Sequence, residues 1–218
     1  MFLHNLQEEK KVIFAQMKEK KAFLLLNGAA PKNLPNLASY ELVCAIDGGY
    51  NHFKNLNIEP HLITGDFDSI QDIPAHIETI HTPDQNFTDF DKALQILESK
   101  EINIVHVFGG SGKEHDHFLG NISTALQWKS KLKILFFDDF GSYYFIPKKF
   151  SIENILNKTV SLIPFPSATK IETKGLQFPL NKETLVFGER IGTRNKALEN
   201  SISINYEEGN LLLYISNK

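Results

Sequence analysis

The sequence predicts an α/β domain with a mostly parallel sheet covered on both faces, followed by a small all-β domain. Three observations carry this expectation. From Ala22 to about Pro147, short apolar runs ending in Gly or Asp alternate with longer segments of helical period, which is the grammar of βαβ units. After Pro147 the segments become short, rich in β-branched and aromatic residues, and punctuated by Gly, Pro and Asn without helical period. The 218 residues are also enough for two modest domains. The expected division is 1–150 and 151–218, with the boundary near 148–157, where KKFSIENILN carries charge and little pattern.

In chain order, the expected strands of the first part are AFLLLNG, LVCAIDGG, LITGDFDS, ETIHTPD, INIVHVFGG and KILFFDD. Two intervening segments read as helices. In TDFDKALQILESK, Phe90, Ala93, Leu94 and Leu97 recur at i, i+3, i+4 and i+7, and Thr88 is placed to cap the N-terminus. In DHFLGNISTALQWKS, beginning near Asp116, the apolar face is Phe118, Ile122, Ala125 and Leu126. The tail offers TVSLIPF, TKIET, LQFPL, TLVFGER, SISINYE and LLLYIS as strands. Cys44 is the single cysteine, so no internal disulfide or cysteine zinc site is available, and its place inside LVCAI marks it as a small core residue.

Composition narrows the function. A hydrophobic fraction of 42% against 22% charged residues is that of a globular protein, and the net charge of −3 argues against a general nucleic-acid binder. No apolar stretch approaches the roughly 18 residues that span a bilayer. The stretch MFLHNLQEEKK puts charges where a signal peptide has its apolar region, so a cytoplasmic location is expected, with small-molecule partners and no membrane.

The chemistry concentrates at the ends of the expected strands, where ligands bind in doubly wound sheets. DGG follows LVCAI, GDFDS follows LIT, TPDQNFTD follows ETIH, and GGSGKEHDH follows INIVHVF. Any one of these turns could be a turn former or helix cap; four on one edge point to a site. Asp66 and Asp68 flank one residue, so in an extended strand their side chains share a side, and Asp89 in the next helix could join them. Carboxylate oxygens without thiol or imidazole suit a hard cation such as Mg²⁺. Gly109, Gly110 and Gly112 open onto a helix N-terminus, an arrangement that offers N–H groups to phosphate. The pattern is neither GxxxxGK[ST] nor GxGxxG, which disfavours a P-loop NTPase and a dinucleotide dehydrogenase. His115 and His117 flank Asp116, but no third nitrogen or sulfur ligand marks a zinc site.

The order DGG, GDFDS, TPDQ-x-x-TD-x-x-KAL and GG-x-G-x-x-x-DH-x-x-x-N resembles the thiamine pyrophosphokinase family over nearly the whole chain. The tail, through VSLIPF, TKGLQFPL, FGERIGTRN and EGNLLLYI, is similar to that family's thiamine-binding domain. The resemblance implies a Rossmann-like domain followed by a β-sandwich, and a homodimer with active sites at the interface. It implies transfer of the diphosphoryl group of ATP to the hydroxyethyl oxygen of thiamine, with Mg²⁺ as cofactor. Residue by residue, it implies Asp66, Asp68 and Asp89 as metal carboxylates and, with Asp116, as the catalytic set. Asp47, Gly48, Gly49, Gln85, Lys92, Gly110, Gly112, Lys113 and Asn121 would contact the nucleotide, and Thr193, Arg194 and Asn195 would face thiamine.

Two positions depart from the family pattern. Glu114 stands where Arg is common, and Arg194 where Ser is usual. A diphosphokinase for another heterocyclic alcohol, such as a hydroxymethylpterin, and a thiamine or nucleotide sensor without turnover are the competing readings. The thiamine-like tail weighs against the first. The retained carboxylates weigh against the second, because like charges held together are costly to a mere binder.

Overall fold

The computed structural model describes residues 18–68, 70 and 72–218. The N-terminal stretch read against a signal peptide, and Ser69 of the acidic turn, lie outside them. Six parallel strands form the first half: β1 (Lys21–Leu25), β2 (Leu42–Ile46), β3 (Leu62–Gly65), β4 (Glu78–His81), β5 (Ile104–Phe108) and β6 (Lys133–Phe137). Their order in the sheet is β4-β3-β2-β1-β5-β6. The chain therefore builds outward from β1 to β4 and returns to lay β5 against the other side of β1. That reversal places the switch point between β1 and β5.

Strand alternation sends the two sets of side chains to opposite faces. Ala22 and Leu24 of β1 join one buried cluster, Phe23 and Leu25 another. The first cluster is covered by α2 (Asp89–Ser99) and α3 (His115–Trp128), the second by α1 (Gly49–Asn55) and the loop aromatic Tyr40. Thr88 caps α2 as its sequence position suggests, its hydroxyl accepting from Asp91 N at 3.1 Å, and Phe90, Ala93, Leu94 and Leu97 are buried. On α3 the expected Ile122 and Ala125 are buried, Trp128 is buried beyond them, and Phe118 and Leu126 are half-buried. Cys44 is fully buried in the first cluster, and burial pushes its thiol well above the usual range, as a core residue requires.

The second half is antiparallel: β7 (Gly141–Ile146), β8 (Lys149–Glu153), β9 (Thr159–Lys174), β10 (Glu183–Val186), β11 (Gly192–Lys196), β12 (Ser201–Asn205) and β13 (Glu208–Ser216). TVSLIPF and TKIET are one strand, the 16-residue β9, which pairs β13, β10 and β11 along most of its length and β12 at its C-terminal end. A buried cluster with Val160, Leu162, Ile171, Ile202 and Leu213 fills the sandwich. LQFPL forms no strand, only a bridge from Leu176 to Ala197. KKFSIENILN is not a bare linker, because Lys149–Glu153 pairs β12 as an edge strand with Phe150 and Ile152 half-buried.

The two halves share one sheet. β7 pairs β6 on one side and β13 on the other, so hydrogen bonding runs unbroken from β4 to the sandwich. On β13, Leu211, Leu213 and Ile215 face the sandwich core, while Leu212 belongs to the core under α2 and α3. Among the described residues, no helix is long and apolar enough to cross a membrane.

Candidate active site

At the switch point the segments leaving β1 and β5 continue side by side past the strand ends. Leu26 N donates to Phe108 O (2.9 Å), Gly28 N to Gly109 O (2.8 Å) and Ala29 N to Ser111 O (2.7 Å). Only glycine fits at 28, since a Cβ would sit 2.2 Å from Gly109 O and 2.4 Å from Ser111 O. Gly109 has φ of +66°, the left-handed conformation that lets the chain turn from β5 toward α3. Asn121 on α3 donates from Nδ2 to Gly110 O at 3.0 Å and fixes that turn. Glu114 occupies the N-cap of α3, and no side chain caps the helix.

These loops line a cleft of about 540 Å³ with Asp47, Gln85, Asp89, Lys92, Gly110, Lys113, Asp116 and Asn121 among its walls. Lys113 reaches across to Asn27, donating to Oδ1 at 3.0 Å. His52 donates to Gly28 O at 2.9 Å, and its burial lowers the imidazole pKa against the raising effect of that bond. Gly48 and Gly49 lie outside the cleft lining: Gly48 is the N-cap of α1, and a Cβ at Gly49 would meet Leu25 O at 2.2 Å. These two glycines let α1 start close against the end of β1.

The carboxylates gather beside the cleft. One oxygen each from Asp47, Asp66 and Asp68 lie within 4.8 Å of one another. The extended geometry expected at 66–68 is not what joins them. Phe67 sits at φ +64°, and Asp68 N donates to Asp66 Oδ1 at 3.2 Å, so the chain kinks there and the Phe67 ring stacks on His81 at 5.5 Å. That N–H of Asp68, with Gln85 Nε2 donating to Oδ2 at 3.3 Å, holds Asp66 below the usual carboxylate range. Asp68 moves the opposite way: the charge of Asp66, then that of Asp47, raises it, and Asp89 adds to the field. Asp89 itself faces Lys92, whose Nζ is 2.8 Å from Oδ1. The contact is an ion pair rather than a hydrogen bond, because that oxygen accepts none at this geometry.

The sandwich carries Thr193, Arg194 and Asn195 away from this cleft. Thr193 and Asn195 line a separate cavity of about 180 Å³, walled by Leu162, Phe178 and Leu185. Asn195 is committed there, accepting from Phe178 N (3.1 Å) and donating to Phe178 O (2.7 Å). Arg194 is left-handed at φ +57°, with its N–H on Ser161 Oγ at 3.0 Å. His115 and His117 are exposed, and neither joins a cluster that could hold a metal among the described residues.

Sequence reasoning passed over Asn27, Gly28 and Ser111, which complete the cleft. The signal was present: Asn-Gly ends the first expected strand, and the strand-order reversal makes that turn face the glycines after β5. It also passed over Asp138, which accepts from Ser111 Oγ at 3.3 Å and from the N–H groups of Phe140 and Gly141. Asp138 thus ties the glycine loop to the turn before β7.

A glycine-lined cleft at the switch point of a parallel sheet, faced by a carboxylate cluster, places the protein among doubly wound α/β folds, in which ligands bind outside the carboxyl ends of the strands. The comparisons are more specific. The family description "Thiamin pyrophosphokinase, catalytic domain" matches residues 35–136, and "Thiamin pyrophosphokinase, vitamin B1 binding domain" matches 146–211. A thiamine pyrophosphokinase of Bacillus subtilis is 30% identical over 199 residues, covering 84% of this chain and 93% of the relative. One from Caenorhabditis elegans is 28% identical over 188 residues, covering 78% and 76%. The crystal structure of a Bacillus subtilis thiamine pyrophosphokinase superposes with a TM-score of 0.77 at 27% identity, over 90% of this chain and 99% of that one. The chain belongs to the thiamin pyrophosphokinase family.

Proposed function

We infer that the cleft and its carboxylates carry the family reaction in this chain: ATP and thiamine are converted to AMP and thiamine diphosphate. The observation that supports it most is the convergence of Asp47, Asp66 and Asp68 within 4.8 Å beside a glycine-lined cleft large enough for a nucleotide. Phosphoryl chemistry demands mainly positioning and charge stabilisation, and this is what such a site can supply.

The donor set fits Mg²⁺. It offers hard carboxylate oxygens close together, and the raised pKa of Asp68 records an excess of negative charge that a cation would neutralise. We propose that Asp66 and Asp68 hold the metal with Asp47, and that Asp89 contributes from the first turn of α2. Bound Mg²⁺ would neutralise charge on the polyphosphate. Around it, the Gly109–Gly112 turn, steadied by Asn121, receives phosphate at the N-terminus of α3. Lys113, which reaches Asn27 across the cleft, supplies positive charge next to Glu114. Asp116, at the same helix start, faces the reacting groups. The hydroxyethyl oxygen of thiamine attacks the β-phosphorus, its proton is released, and the bond to the α,β-bridging oxygen breaks to free AMP.

The division of labour we propose is ATP and metal on residues 1–150 and thiamine on residues 151–218. Thr193, Arg194 and Asn195 lie apart from the cleft within one chain, which supports a homodimer in which the sandwich of one subunit faces the cleft of its mate. The test is incubation with ATP, Mg²⁺ and thiamine, and separately with a pterin alcohol, with products identified by mass spectrometry. AMP with thiamine diphosphate is expected. ADP with thiamine monophosphate, a pterin diphosphate, or no product at all would each overturn the reading.

A further inference from the structure

Lys92 lines the cleft, yet its ammonium is already taken. The residue is 7% exposed, and three oxygens surround Nζ: Thr82 O at 2.7 Å, Asp84 O at 2.9 Å and Asp89 Oδ1 at 2.8 Å. Two of its donors are on the carbonyls, and the Asp89 carboxylate balances its charge as an ion pair, which is how a buried ammonium is kept satisfied. A phosphate at Lys92 would have to compete with the Asp89 carboxylate for the same charge.

The two carbonyls belong to the segment between β4 and α2. Its start is fixed by Thr82 N donating to Gly65 O at 2.8 Å. Its next residue after Asp84 is Gln85, which is exposed and donates to Asp66 Oδ2. A chain of contacts thus runs from Lys92, through the carbonyls of 82 and 84, to Gln85 and the carboxylate of Asp66. Nothing else among the described contacts holds both ends of the Thr82–Asp84 stretch to α2.

We infer that Lys92 is a positioning residue: it pins the segment that carries Gln85 so that Asp66 is held ready for the metal, and it makes no phosphate contact of its own. This rests on the reading of Asp66 and Asp68 as metal carboxylates.

The test separates metal affinity from nucleotide affinity. Binding of Mn²⁺ to the nucleotide-free protein is followed by electron paramagnetic resonance, and binding of ATP in the presence of EDTA by equilibrium dialysis. Both are measured for Lys92→Met and Lys92→Arg, with folding checked by the fluorescence of Trp128, the only tryptophan. Mn²⁺ affinity should fall by about ten- to a hundredfold in both variants, the usual loss when a ligand's supporting contact is removed. Metal-free ATP affinity should stay within about twofold of wild type. Arginine should fail to rescue, because a planar guanidinium cannot meet three oxygens gathered around a point.

Unchanged Mn²⁺ affinity in either variant overturns the inference. So does a loss of ATP affinity in Lys92→Met that Lys92→Arg restores, which is the signature of a phosphate ligand. Should Lys92→Met not fold, the Mn²⁺ affinity of Lys92→Arg decides: a fall of about ten- to a hundredfold supports the inference and wild-type affinity overturns it. Gln85→Ala, at an exposed position, gives an independent check: it should weaken Mn²⁺ binding by itself and add nothing in the Lys92→Arg background, whereas additive losses contradict the pathway. A wild-type protein that binds no Mn²⁺ overturns the metal reading itself, a different result from variants that bind as well as wild type.

Discussion

The indole N–H of Trp128, the last residue of α3, donates to the carboxylate of Asp91, in the first turn of α2. Both residues are buried, at 5% and 4% exposure, and Gln95 Nε2 satisfies the second carboxylate oxygen at 2.9 Å. The bond fastens the two helices whose opening turns line the cleft. Trp128→Phe keeps the aromatic packing but strands a buried carboxylate oxygen. It should cost about 1.5–3 kcal/mol, the value of a hydrogen bond to a charged group, in urea unfolding. Asp91→Asn keeps an acceptor and sheds the charge, so it should cost less. Equal stability of Trp128→Phe and wild type would refute the role.

Asp68→Asn should lower turnover by about 10²–10³-fold, the loss expected for a transition-state charge contact. Its stability should be unchanged or improved, because the substitution removes a charge repelled by Asp66 and Asp47. Steady-state kinetics and urea titration on the same preparation check both halves. A variant that retains more than about a tenth of wild-type turnover would contradict the metal assignment.

The same residue sets a pH dependence. Because the folded pKa of Asp68 is raised, its protonated form is favoured by folding; that contribution is present below the unfolded pKa and lost as pH rises through the raised value. Acid therefore relieves the cluster instead of unfolding the protein there, but it also removes a metal ligand. Mn²⁺ affinity should decline on acidification at a higher pH than an ordinary aspartate would give, because the charge of Asp66 and then that of Asp47 raise Asp68. A wild-type affinity that declines no earlier than that would contradict the proposal, as would an unaltered decline in Asp68→Asn.

Gly28→Ala tests the zipper between the two loops. The new methyl would press on Gly109 O and Ser111 O, both backbone atoms, so the glycine turn must move. Stability should fall by about 1–3 kcal/mol, as for other overpacked sites, and ATP affinity by about tenfold or more. Wild-type ATP affinity in the folded variant would show that the cleft does not depend on this approach.

The parallel strands and α2 were legible because their apolar periods are long and their ends are marked by Gly, Asp or a capping Thr. β7, β8 and β11 were not, for different reasons. Tyr143 and Phe145 of β7 face one core while Tyr144 and Ile146 face the other, so the segment shows no alternation. β8 is a short edge strand in which Phe150 and Ile152 are half-buried and the other residues exposed, and GTRNK of β11 is polar and exists through its pairing with β9. The role of Asp47 in the cluster was hidden by distance along the chain. Parallel register sets Ile46 beside Thr64, and Asp47 N donates to Thr64 O at 2.9 Å, so residues a whole helix apart end up as neighbours. The kink at Phe67 was illegible, since an aromatic residue gives no hint of a left-handed backbone.

The placement of Leu212 has a consequence for how the chain is made. Synthesis is vectorial, and domains commonly fold as they leave the ribosome, the earlier one first. Here the core beneath α2 and α3 includes a side chain from β13, a strand that emerges only after the entire sandwich has been translated. Until β13 is made, the core beneath α2 and α3 lacks Leu212, and that flank of the first half is unsealed.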